Sequence, residues 1–243
     1  MISVDGTFLK GKFAGTLLLA AAMDGDNHIL PLAFGLVDTE SDATWRWFFE
    51  HIKNAFGDRA NLVVISDRKT SIPKGALEVF PYANYGVCIQ HLWGNLLTKF
   101  RRRKLRPLFL KAAKAYTHDE YEYFFDKLSD KQSGIKDYLI EANPELWARS
   151  KFPGKRYQVM TTNISECMNA VLRENRSWPV AFLVLAFRKK LQQWFYRRML
   201  SFESMKSRLT SWAYKLILEK EDEARSMKVR VSLCMFILVF MNV

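Results

Sequence analysis

Cysteine is scarce in this 243-residue sequence: Cys88, Cys167 and Cys234 are the only three, an odd number with no framework spacing. That excludes a disulfide-stapled secreted domain and points to a reducing compartment, the cytosol or nucleus. No leader peptide pattern opens the chain, since Met1 is followed by Ile2-Ser3-Val4-Asp5, which reads as the start of a strand. The apolar tail at residues 231–243 is shorter than the ~20 residues a membrane-spanning helix needs. No membrane partner is therefore expected, and the tail reads as a terminus of uncertain order. Internal repeats and low-complexity tracts are also missing. With 49% hydrophobic and 26% charged residues, the composition is that of a globular protein and not of a disordered one.

The length suits one large domain, or one domain with a sizeable insertion. Charge is unevenly spread. Residues 1–90 hold 8 Lys+Arg against 10 Asp+Glu, a net of −2, while residues 91–243 hold 29 against 15, a net of +14. A near-neutral half joined to a strongly basic half suggests a catalytic platform beside a polyanion-binding surface.

Periodicity predicts three strands at residues 2–9, 16–23 and 29–37, the last two separated by the turn residues Asp24-Gly25-Asp26-Asn27. They are expected to form an antiparallel meander. Trp45, Phe48, Phe49, Ile52 and Phe56 then recur at helical spacing after a Ser41-Asp42 start signal. Residues 62–66 form a solid apolar run, as in a strand buried on both faces. A short helix at 73–80 and a strand at 85–89 follow. Three antiparallel strands, then helix–strand–helix–strand, is the order of a ribonuclease H-like α/β fold, which is the fold class expected here. Residues 91–160 read as a helical insertion and 161–178 as a helix that closes the core. Residues 179–230 read as a basic amphipathic helical region, with Leu183, Phe187, Leu191, Trp194 and Phe195 on one stripe.

Three carboxylates stand out. Asp5 lies inside an apolar strand, where a carboxylate loses hydration and needs a compensating partner such as a divalent metal. Asp67 ends the buried 62–66 strand, and if that strand is the parallel neighbour of the first, the two carboxylates meet at one sheet edge. Glu166 opens a helix, where the macrodipole favours its ionised form. Three hard oxygen donors around two Mg²⁺ or Mn²⁺ ions are what in-line attack on a phosphodiester requires. Each residue also has a bland reading. Asp5 precedes Gly6 and can serve a turn, and Asp67 can cap the next helix or pair with Arg68. Asn163 at an N-cap with Glu166 at N3 matches a capping-box-like pattern.

Several segments together resemble the Mutator-like (MULE) transposases, abundant in plants. They are Asp5-Gly6-Thr7-Phe8-Leu9-Lys10-Gly11, Pro31-Leu32-Ala33-Phe34-Gly35, Trp45-Arg46-Trp47-Phe48, Ile65-Ser66-Asp67-Arg68 and Thr162-Asn163-Ile164-Ser165-Glu166-Cys167-Met168-Asn169. The resemblance spans roughly residues 2–200. It implies a ribonuclease H-like fold, cut-and-paste transposition at terminal inverted repeats, and Asp5, Asp67 and Glu166 as the catalytic, metal-binding acids. The family's Cys-x-x-His element falls on Cys88-Ile89-Gln90-His91. Two ligands alone do not make a zinc site and no second pair stands at suitable spacing, so Cys88 and His91 are read as structural or DNA-positioning residues near the active site. The first acidic strand begins at residue 2 and nothing beyond Arg230 resembles a zinc finger, so a truncated copy is expected.

Arg101, Arg102, Arg103, Lys104 and Arg106, together with Arg68 and Lys69, are the candidate contacts to a DNA backbone. The Arg101–Lys104 run also suits a nuclear localisation signal. The expected protein is a DDE-type DNA transposase catalytic domain acting on DNA in the nucleus, with a second copy of the chain as a candidate partner. The alternatives are a domesticated DNA-binding regulator or an inactive remnant.

Overall fold

A computed structural model of the chain describes residues 1–12, 14–156, 159–231 and 237–240. It divides into two compact units, residues 1–22 with 29–190, and residues 23–28 with 191–243.

The first unit is mixed α/β. Its five-stranded sheet has the order β3-β2-β1-β4-β5, from β1 (Ile2–Phe8), β2 (Thr16–Met23), β3 (Ile29–Val37), β4 (Val63–Ser66) and β5 (Asn84–Val87). β1 pairs antiparallel with β2 and parallel with β4, and β4 pairs parallel with β5. Strand β1 shows the period of two that fixes its faces. Ile2 and Val4 join a core with Trp45, Phe48, Phe49 and Ile52 of α1 (Asp42–Phe56) and with Ile72 and Ala76 of α2 (Ser71–Val79). Ser3, Asp5 and Thr7 therefore point to the opposite face. Burying each large α1 side chain is worth about 1.5–3 kcal/mol, which is what holds the two helices on the sheet.

Local signals set the ends of α1. Ser41 Oγ accepts from the Thr44 amide at 3.2 Å while Thr44 Oγ1 accepts from the Ser41 amide at 2.9 Å, a reciprocal cap. Gly57 then takes φ 74°, a left-handed backbone that side chains resist. Helix α2 begins two residues earlier than the sequence suggests, because Pro73 is tolerated inside a first turn whose amides lack helical partners. At the other end of its strand the chain leaves β5 at Val87, and Cys88 becomes the N-cap of α3 (Ile89–Phe100).

The segment after β5 is helical, as expected, and carries its own core. It runs through α3, α4 (Arg106–Lys114), α5 (His118–Lys131), α6 (Ile135–Glu141) and α7 (Pro144–Trp147). Leu92, Trp93, Leu96, Phe109, Tyr121, Phe125, Leu139 and Trp147 pack together there. Stacked rings hold its centre, with Phe109 and Trp147 at 5.7 Å and Tyr121 and Phe125 at 5.1 Å between centroids. The expectation fails at one point: Arg101 adopts φ 53° and ends α3, so the basic run is an exposed connector with a short 3-10 turn (Arg103–Leu105) and not a helix face.

Helix α8 (Asn163–Val171) closes the first unit, with the start of α9 (Val180–Glu203). Of the expected α9 stripe, Leu183 and Phe187 are buried, and the Phe187 ring lies 4.2 Å from that of Phe34. Further along, Phe195 is exposed, so the stripe is not a continuous buried face.

The second unit holds the rest of α9, α10 (Ser211–Arg225), and the antiparallel pair β6 (Lys228–Val231) and β7 (Ile237–Phe240). This strand pair was not expected from the sequence. Asp24 Oδ1 accepts from the amides of Asp26 and His28, and Thr210 Oγ1 donates to the Gly25 carbonyl at 2.6 Å. Cys234 and most of the apolar tail, residues 232–236 and 241–243, lie outside the described residues. Among the described residues no helix is long and apolar enough to cross a membrane.

Candidate functional site

The site is built on the face of β1 that carries Ser3, Asp5 and Thr7. Each of these polar side chains meets one partner from the closing segment. Ser3 Oγ lies 2.9 Å from Ser165 Oγ, and Asn169 Nδ2 donates to Asp5 Oδ2 at 2.6 Å. Arg176 Nη1 donates to Thr7 Oγ1 and reaches the Phe8 carbonyl at 3.4 Å. Ser165 and Asn169 are four residues apart on α8 and so share one helix face. The period of the strand and the period of the helix match over this contact. Glu166 lies between Ser165 and Asn169 on the same helix and follows Ser165 directly.

Asp67 arrives by strand register. Ser3 pairs with Ile65 across the parallel β1–β4 ladder, so Asp5 within β1 and Asp67 just past the end of β4, each two residues further on, stand level with each other. The expectation that these strands are parallel neighbours is met. The Asp67 carbonyl accepts from Ser66 Oγ and from Tyr85 Oη, both at 2.7 Å. Its side chain accepts from the Lys69 amide at 3.1 Å. Asp67 does not cap α2, whose N-cap is Thr70.

Glu166 is held by Thr162, whose hydroxyl donates to Glu166 Oε1 at 2.7 Å. The capping-box reading of Glu166 is overturned here. Thr162, not Asn163, occupies the N-cap of α8, and no side chain caps that end. Asn163 is exposed and its amide reaches back to Thr161 Oγ1 at 3.5 Å.

The acids feel one another. Burial pushes the Asp5 carboxyl up to about 6, the negative charges of Asp67 and Glu166 push in the same direction, and His91 opposes them. A cluster of ionised carboxylates in a partly buried place is stabilised by a cation, and oxygen donors of this kind suit Mg²⁺ or Mn²⁺. Asp5, Asp67 and Glu166 are hard oxygen donors of the type that Mg²⁺ and Mn²⁺ take, but among the described residues their oxygens do not all lie within 4.8 Å of one another.

Cys88 and His91 reach the same place. Cys88 is fully buried and its Sγ accepts from the Thr162 amide at 3.3 Å. His91 Nδ1 lies 3.4 Å from Thr162 Oγ1, and His91 Nε2 lies 3.9 Å from Glu166 Oε1. Its hydrogen bond with Cys88 raises the His91 imidazole to about 9, with Glu166 and Asp67 adding to the effect. Burial works to raise the Cys88 thiol, but hydrogen bonds from His91 and Thr162 outweigh it and leave the thiol below its ordinary value. Among the described residues, Cys88, His91 and Glu166 are the group whose donor atoms all lie within 4.8 Å of one another.

The basic residues are spread out. Arg68 donates to Tyr138 Oη at 3.0 Å, Lys69 pairs with Glu40, and Arg106 donates to Gln90 Oε1 at 3.2 Å. Arg101, Arg102, Arg103 and Lys104 are exposed on the α3–α4 connector. Thr162, Asn169 and Arg156 hold the site together, yet sequence reasoning gave them no role. Asn169 carried a signal, since three residues after Glu166 is the spacing of one helix face. Arg156 carried none. It is a buried guanidinium that donates to the carbonyls of Leu146 at 2.8 Å and Val87 at 2.9 Å, and burial lowers it to about 10.

Residues 1–95 match the family model of the MULE transposase domain. The match runs from β1 into α3 and contains Asp5, Asp67, Cys88 and His91, while Glu166 lies beyond it. The resemblance read from the sequence motifs holds for that span. Among solved structures, the chain is similar to a chain of the simian T-cell lymphotropic virus intasome in complex with PP2A regulatory subunit B56 gamma. Identity is 11%, with 66% of this chain and 51% of that chain covered and a TM-score of 0.29. The chain thus spans about half the length of that neighbour. No curated protein matches.

Proposed function

We propose that the chain carries the catalytic core of a DDE-type DNA transposase on a ribonuclease H-like sheet, with Asp5, Asp67 and Glu166 as its acidic triad. The match to the MULE transposase domain supports the family, and the sheet order with parallel β1, β4 and β5 supports the fold. The observation that carries the triad is geometric: the parallel β1–β4 register brings Asp5 and Asp67 level, and Asn169, on the same helix as Glu166, donates to Asp5. Burial first, then the charges of Asp67 and Glu166, raise the Asp5 carboxyl in keeping with this. When bound, a pair of Mg²⁺ or Mn²⁺ ions supplies Lewis acidity that activates an attacking water or 3′-hydroxyl and stabilises the leaving oxygen.

The residues of the chain prepare that chemistry by holding the acids in place. Asn169 anchors Asp5, the Lys69 amide anchors Asp67 and Thr162 anchors Glu166. His91 adds positive charge beside Glu166, where a phosphodiester would approach. Arg101, Arg102, Arg103 and Lys104, exposed on the connector, would track the DNA backbone without reading sequence. In this reading the substrate is the terminal inverted repeats of a transposable element, and the setting is the nucleus.

The test is nicking of supercoiled plasmid by the whole chain. Nicking is expected with Mg²⁺ or Mn²⁺ and to be lost in Asp67→Asn, with the circular dichroism spectrum and melting temperature retained. Equal nicking by that variant would reject the triad. DNA binding without nicking by the unsubstituted chain would instead favour a DNA-binding regulator or an inactive remnant.

A further inference from the structure

We propose that Cys88, His91 and Glu166 form a three-ligand site for a borderline divalent cation of the Zn²⁺ type, sharing Glu166 with the acidic cluster. The inference rests on the triad reading only for that sharing; the three ligands stand by themselves.

The donor set is a thiol sulfur, an imidazole nitrogen and a carboxylate oxygen. Mg²⁺ and Mn²⁺ prefer oxygen, whereas sulfur with imidazole selects Zn²⁺ or Co²⁺. The donor atoms lie within 4.8 Å of one another, with His91 Nε2 and Glu166 Oε1 at 3.9 Å. A tetrahedral centre with bonds of about 2.0–2.3 Å draws its donors somewhat closer than that. The side chains of His91 and Glu166, 44% and 45% exposed, have room to adjust, Glu166 by giving up the Thr162 hydroxyl. The sulfur that cannot move is already placed, because Cys88 is buried and held by the Thr162 amide. Cys88 at the N-cap of α3 and His91 in its first turn form one rigid arm, and Glu166 on α8 forms the other. Three protein ligands leave a fourth position open to solvent. The sequence showed two of them and lacked a second pair; the third comes from a residue 75 positions after His91, which only the packing of α8 against β1 brings near.

Sharing has a consequence. A cation seated on Cys88 and His91 takes Glu166 with it, so a zinc-type ion and the Mg²⁺ cluster compete for one carboxylate. Binding also displaces the thiol and imidazole protons to solvent.

The test uses the whole chain with Cys167→Ser and Cys234→Ser, so that Cys88 is the one remaining thiol, kept reduced and titrated with Co²⁺. One Co²⁺ per chain is expected, with a near-ultraviolet thiolate-to-metal charge-transfer band. Adding Cys88→Ala should abolish the band. His91→Gln and Glu166→Gln should each weaken binding by at least the ~10–100-fold that even an outer-sphere partner contributes. Excess Mg²⁺ should shift the wild-type Co²⁺ titration to weaker binding, and should not do so in Glu166→Gln. No charge-transfer band with Cys88 present, or a band indifferent to both His91→Gln and Glu166→Gln, overturns the site. A band in a protein that never nicks DNA leaves this site standing and removes the nuclease reading. Nicking without a band does the reverse.

Discussion

Replacing Asp5 by asparagine is expected to stabilise the metal-free protein, although it removes a member of the acidic cluster. Burial and two neighbouring acids raise the Asp5 carboxyl from 3.8 to about 6. The folded protein therefore binds this proton more tightly than the unfolded chain does. Stability is lost as pH rises from about 4 to 6, and above that window the full penalty remains, about 3 kcal/mol. Asparagine keeps the shape and carries no charge. Its amide can still pair with Asn169, whose buried Oδ1 has no hydrogen-bond partner. The variant should thus be more stable by about 3 kcal/mol at pH 8, by about half of that at pH 5 and by little at pH 4. For a chain of this size, that corresponds to a rise in melting temperature of roughly 6–12 °C at pH 8. Differential scanning calorimetry in EDTA across this pH range measures it. Mg²⁺ should then raise the melting temperature of the wild type more than that of the variant, by mass action on the intact cluster. A variant that melts at or below the wild type at pH 8 would refute the account of a strained carboxylate. So would an advantage that is the same at pH 4 and pH 8.

Thr162→Val keeps the size of the side chain but removes the hydroxyl that donates to Glu166. Mg²⁺-dependent nicking should fall by ~10–100-fold and return in Thr162→Ser, whereas an unchanged rate would deny Thr162 a positioning role. Arg156→Met leaves the carbonyls of Leu146 and Val87 without their donor and should cost about 2–4 kcal/mol. Urea denaturation monitored by tryptophan fluorescence reads this, and an unshifted midpoint contradicts it. Replacing Arg101, Arg102 and Arg103 together by alanine should flatten the salt dependence of duplex binding, with the log–log slope falling by ~0.9 for each phosphate that is no longer neutralised. Fluorescence anisotropy over a salt series gives that slope, and an unchanged one removes the connector from the DNA path.

Much of the fold was legible because it follows from local rules. The alternation in Ile2-Ser3-Val4-Asp5, the helical recurrence of Trp45, Phe48, Phe49 and Ile52, and the apolar run before Asp67 each report a period that burial imposes. The errors lie where local signals compete. Arg101–Arg106 has good helix formers, yet Arg101 adopts a left-handed conformation and the helix stops. The pattern at Asn163 and Glu166 suits a cap, but Glu166 instead takes the Thr162 hydroxyl. The pairing of β6 with β7 had no signal beyond an apolar tail.

What the sequence determined by itself is which residues alternate, which turn, and that Asp5 lies inside an apolar strand while Asp67 ends one, because these are properties of neighbours along the chain. Which distant side chains meet was decided only in three dimensions. The parallel register of β1 and β4 set Asp67 beside Asp5. The contacts of Ser165 with Ser3 and of Asn169 with Asp5 seated α8 on the face of β1, and Glu166 on that helix came within reach of Cys88 and His91. Those contacts join residues as many as 164 positions apart. Their energy comes from burying and pairing groups that no window of sequence contains together, so spacing alone could not disclose them.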